Sequence, residues 1–175
     1  IVDQIIEDKL ELAMGGKLIN ATILFADIRG FTTLSEKIEP DEVVELLNHY
    51  FTEMIEIIFK NEGTLDKIVG DELMVVYGSP IEIKNAEEKA VKTAIEMQNK
   101  LKELNKILTH PIEIGIGINS GKVISGNIGS EVRSDFTVIG DNVNLAARLC
   151  SHAKSSQIVI SKSVFEKIYD KSDFK

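Results

Sequence analysis

The sequence predicts an α+β fold, an α/β sandwich with a ferredoxin-like βαββαβ core and additional C-terminal strands and helices. Three observations predict it. Residues 21–27 (ATILFAD) form a near-continuous apolar run, the pattern of a central strand covered on both faces. Two long segments carry apolar stripes at helical spacing: Val43, Leu46, Leu47, Tyr50, Met54 and Ile58, then Ala90, Val91, Ala94, Met97, Leu101, Leu104 and Leu108. Between them, residues 64–69 and 72–77 read as strands joined by Gly70-Asp71, a Gly-X pair that suits a two-residue hairpin loop.

Taken in order, residues 1–14 show roughly helical spacing at Val2, Ile5, Ile6, Leu10 and Ala13, ended by Gly15-Gly16. That pattern fits a surface helix as well as the tail of a coiled coil. After the first strand, Arg29-Gly30-Phe31-Thr32 forms a tight turn, and Thr33-x-x-Glu36 has the form of a capping box. Pro40, with Asp41 and Glu42 behind it, opens the first long helix, and Asn85-x-x-Glu88 caps the second. Strands are expected at residues 112–119, 122–127 and 135–139, then a helix over 142–153, a short strand over 157–160 and a last turn capped by Ser163-x-x-Glu166. The order strand, helix, strand, strand, helix, strand is that of the split βαβ motif.

Composition narrows the function classes. The 175 residues suit one domain, 43% hydrophobic and 27% charged, with a formal net charge of -8. No block of Lys and Arg offers the basic surface that nucleic acid needs. Cys150 is the only cysteine, so no intrachain disulfide can form and a reducing, cytoplasmic setting is expected. No apolar run approaches the ~20 residues of a membrane span, and no signal peptide opens the chain. The expectation is a fragment of a longer protein, with residues 1–16 a linker helix. Any sensor or membrane anchor would lie outside it, and the fragment itself makes no membrane contact.

The hairpin topology brings residues 44 apart together. Asp27 closes the first strand and Asp71 sits in the hairpin turn, so the two carboxylates become neighbours. They repel unless a cation lies between them, and oxygen ligands of this kind suit magnesium or manganese. Each Asp also fits a plain turn role. Gly30-Phe31-Thr32, between strand and helix, leaves amides free for anionic phosphate oxygens. On the helix DNVNLAARLCSHA, Asn144, Arg148 and Ser151 follow at steps of four and three and share one narrow stripe. Either Arg148 snorkels to solvent there or the stripe meets something polar. His49, His110 and His152 are isolated and show no metal-ligand spacing.

Three segments carry a resemblance: Phe25-Ala26-Asp27-Ile28-Arg29-Gly30-Phe31-Thr32, Lys67-Ile68-Val69-Gly70-Asp71, and Phe136-Thr137-Val138-Ile139-Gly140-Asp141-Asn142-Val143-Asn144-Leu145-Ala146-Ala147-Arg148. They closely resemble the signature segments of class III adenylate and guanylate cyclases, in order, over residues 18–168. The resemblance implies a catalytic domain over residues 17–175 that converts ATP to 3′,5′-cyclic AMP and pyrophosphate, in the service of intracellular signalling. It implies two divalent metal ions, Mg or Mn, held by Asp27, Asp71 and the carbonyl of Ile28. Amides around Gly30, Phe31 and Thr32 would hold the terminal phosphates. Lys67 and Thr137 stand at the purine-reading positions, and Asn144 and Arg148 at the transition-state positions.

The family works as head-to-tail dimers, so a chain with both residue sets implies a homodimer with two composite sites, coupled to an upstream sensor. The Lys–Thr pair looks like that of bicarbonate-responsive soluble-type cyclases, which favours ATP. Guanylate cyclase and a noncatalytic cyclase-like module are the rival readings, and no GGDEF-like run points to a diguanylate cyclase. The family's final strand and phosphate-binding lysine have no counterpart before Lys175, so a C-terminal truncation is expected.

Overall fold

A computed structural model of the chain describes residues 16–130 and 132–168. The helix expected over residues 1–14 lies outside the described residues. The chain runs β1 (Lys17–Ile28), α1 (Phe31–Ser35), α2 (Pro40–Lys60), β2 (Thr64–Val69), β3 (Glu72–Tyr77), α3 (Ala86–Leu104), β4 (Ile114–Gly129), β5 (Ser134–Ile139), α4 (Asp141–His152), β6 (Ile158–Ile160) and α5 (Lys162–Phe165). The strands form one sheet in the order β2-β3-β1-β4-β5, with β6 pairing β4 in parallel. This is the expected α+β sandwich.

β1 is buried on both faces because its alternate residues feed two cores. Leu24, Ala26 and Ile28 join the larger one, with Leu46, Tyr50, Met54 and Ile58 of α2 and Ala90, Ala94, Met97 and Leu101 of α3. Ala21, Ile23 and Phe25 face the other way, onto Val143, Ala146 and Cys150 of α4. Gly117 makes that second layer close. A Cβ there would lie 2.1 Å from the Cys150 amide nitrogen and 2.6 Å from the Ala146 carbonyl oxygen.

Some local readings are corrected. The two strands expected at 112–119 and 122–127 are one 16-residue strand. Asn119-Ser120-Gly121 has turn composition, but Asn119 donates to the Asn142 carbonyl oxygen at 2.9 Å and Ser120 to Glu87 at 2.6 Å. Helices on both sides thus satisfy the polar side chains and the strand continues. Thr33-x-x-Glu36 caps nothing: Thr33 lies inside α1, which left-handed Gly30 opens. Asn85 precedes α3, yet at φ 56 its side chain makes no capping bond. Ser161, rather than Ser163, caps α5 by accepting from the Val164 amide. Conversely, Glu39 and Glu42 form a capping box on α2 that the sequence reading missed. No helix among the described residues is long and apolar enough to cross a membrane.

Candidate active site

Antiparallel pairing of β1 with β3 puts Ala26 opposite Leu73, so the β2–β3 turn lies beside the end of β1. Asp71 Oδ2 accepts from the Ile28 amide at 3.1 Å. The side chain of Ile28 is buried, so it offers the site only backbone. Burial, then a hydrogen bond and charge from Asp27, push the Asp71 carboxyl up to about 7. Two carboxylates pressed together this way share a proton or need a cation. Asp27 is 32% exposed along its side chain, within reach of an ion from solvent. This oxygen donor set fits a magnesium or manganese ion that completes its shell with water and phosphate. No group of three or more His, Cys, Asp or Glu among the described residues offers a fuller protein cage.

Arg29 supplies part of the missing charge. Its Nη2 donates to Asp27 Oδ2 at 3.1 Å and its Nε to the Asp27 carbonyl at 3.3 Å. The guanidinium lies over β4 where Gly115 leaves room, since a Cβ there would be 2.8 Å from it. It also reaches Cys150 Sγ at 3.6 Å. Burial pushes the Cys150 thiol up to about 12, so it packs as an inert small group. The Tyr50 hydroxyl is fully buried with no hydrogen-bond partner among the described residues. Burial, then the charges of Asp27 and Asp71, keep it a phenol.

A second cluster forms where Thr137 of β5 meets β2, beside a core that holds Val138 with Met74 and Val76 of β3. Thr137 Oγ1 donates to Asp66 Oδ2 at 2.9 Å. Lys67 Nζ lies 3.3 Å from the same oxygen, with side-chain exposures of 45% for Lys67 and 5% for Asp66. Neighbours on a regular strand face opposite ways. Here Leu65 pairs with Val75 and Lys67 with Met74, so Asp66 is the extra residue of a β-bulge and turns toward Lys67.

Asn144, Arg148 and Ser151 are exposed along one side of α4, while Val143, Ala146 and Cys150 are buried on the other. Among the described residues no hydrogen bond or ion pair engages the side chain of Asn144 or Arg148, and none links them to Asp27 or Asp71. The structure thus joins Asp27 with Asp71 and Lys67 with Thr137, and leaves the α4 stripe facing outward. Gly30, at φ 70, turns the chain into α1, with the Leu34 amide bonded back to its carbonyl. Phe31 and Thr32 form the first turn of α1, where amides lack intrahelical acceptors.

Sequence reasoning missed Asp66, Arg29 and Tyr50. Asp66 had one available signal, a carboxylate beside a lysine inside a strand, which only a bulge reconciles. Tyr50 read simply as core.

Residues 16–175 match the family described as Adenylate and Guanylate cyclase catalytic domain. Among solved structures, the guanylyl cyclase Cya2 superposes with a TM-score of 0.86 at 42% identity, covering 90% of this chain and 82% of that one. The adenylyl cyclase CyaB from P. aeruginosa gives 0.84 at 40% identity, covering 89% and 83%. An uncharacterized protein of Mycobacterium tuberculosis is 36% identical over 142 residues, 81% of this chain and 26% of the relative. The chain thus spans about a quarter of the length of the curated relatives it matches.

Proposed function

The chain belongs to the adenylate and guanylate cyclase catalytic domain family, and from that membership we propose that it is an adenylate cyclase, forming 3′,5′-cyclic AMP and pyrophosphate from ATP. At the coarser level it is a class III nucleotide cyclase domain, a family that uses divalent metal ions and acts on nucleotides as dimers. The ATP reading rests on one observation: the Lys67 ammonium and the Thr137 hydroxyl meet in a single cluster. A lysine donor suits the ring-nitrogen acceptor of adenine, whereas guanine offers a donor there.

The reaction is an in-line displacement. The ribose 3′-oxygen bonds to the α-phosphorus, the bond to the bridging oxygen of the β-phosphate breaks, and pyrophosphate leaves with that electron pair. Asp27 and Asp71, with the Ile28 carbonyl, would hold two divalent ions. Those ions, when bound, ease loss of the 3′-hydroxyl proton and neutralise the leaving pyrophosphate. Amides at Gly30, Phe31 and Thr32 hold the terminal phosphates. Lys67 and Thr137 fix the purine, Asn144 orients the ribose, and Arg148 meets the charge that grows on the α-phosphate.

Arg148 and Asn144 are exposed and make no bond to Asp27 or Asp71, which supports a homodimer in which each site takes its metal ligands from one copy and its α4 stripe from the other. We assign residues 17–175 to this catalytic domain and residues 1–16 to a linker from an upstream sensor. Production of cyclic nucleotide from ATP and from GTP, with Mn or Mg and across protein concentrations, tests the reading. Cyclic AMP that rises faster than linearly with protein supports it; silence with ATP refutes it. The second reading is cyclic GMP from GTP, favoured by the 42% identity to a guanylyl cyclase.

A further inference from the structure

We propose that Asp66 makes the purine pocket selective for a 6-aminopurine by fixing Thr137 as a hydrogen-bond acceptor beside Lys67 as a donor. The inference rests on the assignment of Lys67 and Thr137 to the purine. A threonine hydroxyl is ambivalent: it rotates, and can donate to a purine 6-oxygen or accept from a 6-amino group. The threonine alone therefore rejects neither base, and the donor-only Lys67 discriminates at N1 but not at the 6-position. Asp66 removes the ambiguity. As a carboxylate it only accepts, so the 2.9 Å contact commits the single Thr137 O–H to Asp66 and leaves its lone pairs for the ligand.

Lys67, 3.3 Å from the same oxygen, has only N–H groups to offer. The pocket then shows one fixed donor and one fixed acceptor. Adenine matches with its N1 acceptor and its 6-amino donor. Guanine brings the lone pairs of O6 against those of Thr137, and its N1–H against an ammonium. A polar group left unpaired in a desolvated site is what makes such rejection strong.

Burial gives the arrangement its stiffness. Asp66 is 5% exposed along its side chain and Thr137 is 7% exposed, so water does not compete for their bond. The bulge that turns Asp66 toward Lys67 breaks the β2–β3 register at that one residue. Asp66 is a positioning residue, acting through Thr137 and Lys67 rather than on the base.

The test compares the wild-type chain with Asp66→Ala and Asp66→Asn. The readouts are kcat/KM for ATP, GTP and purine riboside triphosphate, which keeps N1 and lacks the 6-amino group. Affinities for 3′-deoxy-ATP and 3′-deoxy-GTP, which bind without cyclising, add a readout independent of turnover. Asp66→Ala is expected to lower the ATP-to-GTP ratio about tenfold in both kcat/KM and affinity, the size of one base-edge pairing. It also shrinks the wild-type penalty for the missing amino group. Asp66→Asn keeps an oxygen that accepts from Thr137 and retains most of the preference. An unchanged ratio, or a parallel fall with both nucleotides, overturns the proposal. If Asp66→Ala does not fold, indifference of the wild type to the 6-amino group still overturns the proposal. A wild type that cyclises GTP and not ATP overturns instead the purine assignment on which the proposal stands.

Discussion

Adding a single methyl group at Gly117 is expected to disable the enzyme while leaving it folded. The Cβ of Gly117→Ala would stand 2.1 Å from the Cys150 amide nitrogen, 2.6 Å from the Ala146 carbonyl oxygen and 2.7 Å from the Cys150 Cα. These are backbone atoms of α4, which no side-chain rotation can clear. Ordinary contact begins beyond 3.4 Å, so α4 must retreat from β4 by more than 1 Å. The retreat carries Asn144 and Arg148 with it, since both ride on that helix. Misplacing positioned groups by about 1 Å can cost on the order of 10²-fold in rate. Overpacking of this kind costs roughly 1–3 kcal/mol, a drop of about 2–12 °C in Tm for a domain this size. The assay is cyclic AMP formation well below the lowered Tm, beside a circular-dichroism melt. A folded Gly117→Ala variant with the wild-type rate would falsify the placement of catalytic groups on α4.

Asn144→Ala should lower turnover by about 10²–10³ and leave the melt unchanged, because the side chain is exposed; a rate near wild type removes its role. Asp27→Asn and Arg148→Ala should each be inactive alone and regain partial activity when mixed, as composite sites in a heterodimer require; continued silence of a mixed, dimeric sample argues for sites within one chain. Asp71 gives a pH signature. Its carboxyl titrates at about 7 in the folded chain against an ordinary 3.8, so between those values the folded state binds more protons than the unfolded one. Its contribution to stability is therefore full below about pH 4 and lost as pH rises through 7. In EDTA, the Tm of wild type minus that of Asp71→Asn should fall from pH 5 to pH 8, and saturating Mn should abolish the slope. A difference that stays flat in EDTA refutes the shared-proton picture.

The sequence carried the fold wherever periodicity was the whole signal. The β2–β3 hairpin matched residue for residue, because its apolar runs are bounded by Gly63, Gly70-Asp71 and Gly78. Asp27 and Asp71 were legible as neighbours because topology alone determines which end of β1 meets that turn. What failed was local chemistry overruled by tertiary contacts. Asn119-Ser120-Gly121 looks like a turn until Asn142 and Glu87 supply partners. Thr33, Asn85 and Ser163 have capping composition, but backbone geometry assigns the caps elsewhere. Asp66 was missed because its one signal, a carboxylate beside a lysine, does not reveal the bulge to a period-two pattern, and Arg29 because its partners lie 121 residues away at Cys150 as well as next door at Asp27.

One chain holds each half of the proposed chemistry in an unbalanced state, and the imbalance argues for a second copy. Asp27 and Asp71 crowd two carboxylates together, and among the described residues Arg29 alone pairs with either of them. On α4, Arg148 displays a cation with no anion opposite it among the described residues. The sheet carries a matching apolar feature. Leu18 pairs with Ile124 and Ile124 with Ile139 across β1, β4 and β5, and the three are 62%, 41% and 44% exposed. Single exposed apolar residues are ordinary, but a row of them in register across three strands is a contiguous patch of the kind that marks an interaction surface. A head-to-tail copy that covered the row and brought its Arg148 toward the metal and phosphate site proposed around Asp27 and Asp71 would remove all three imbalances at once. The same geometry would explain why the side chains of Asn144 and Arg148 find no partner among the described residues.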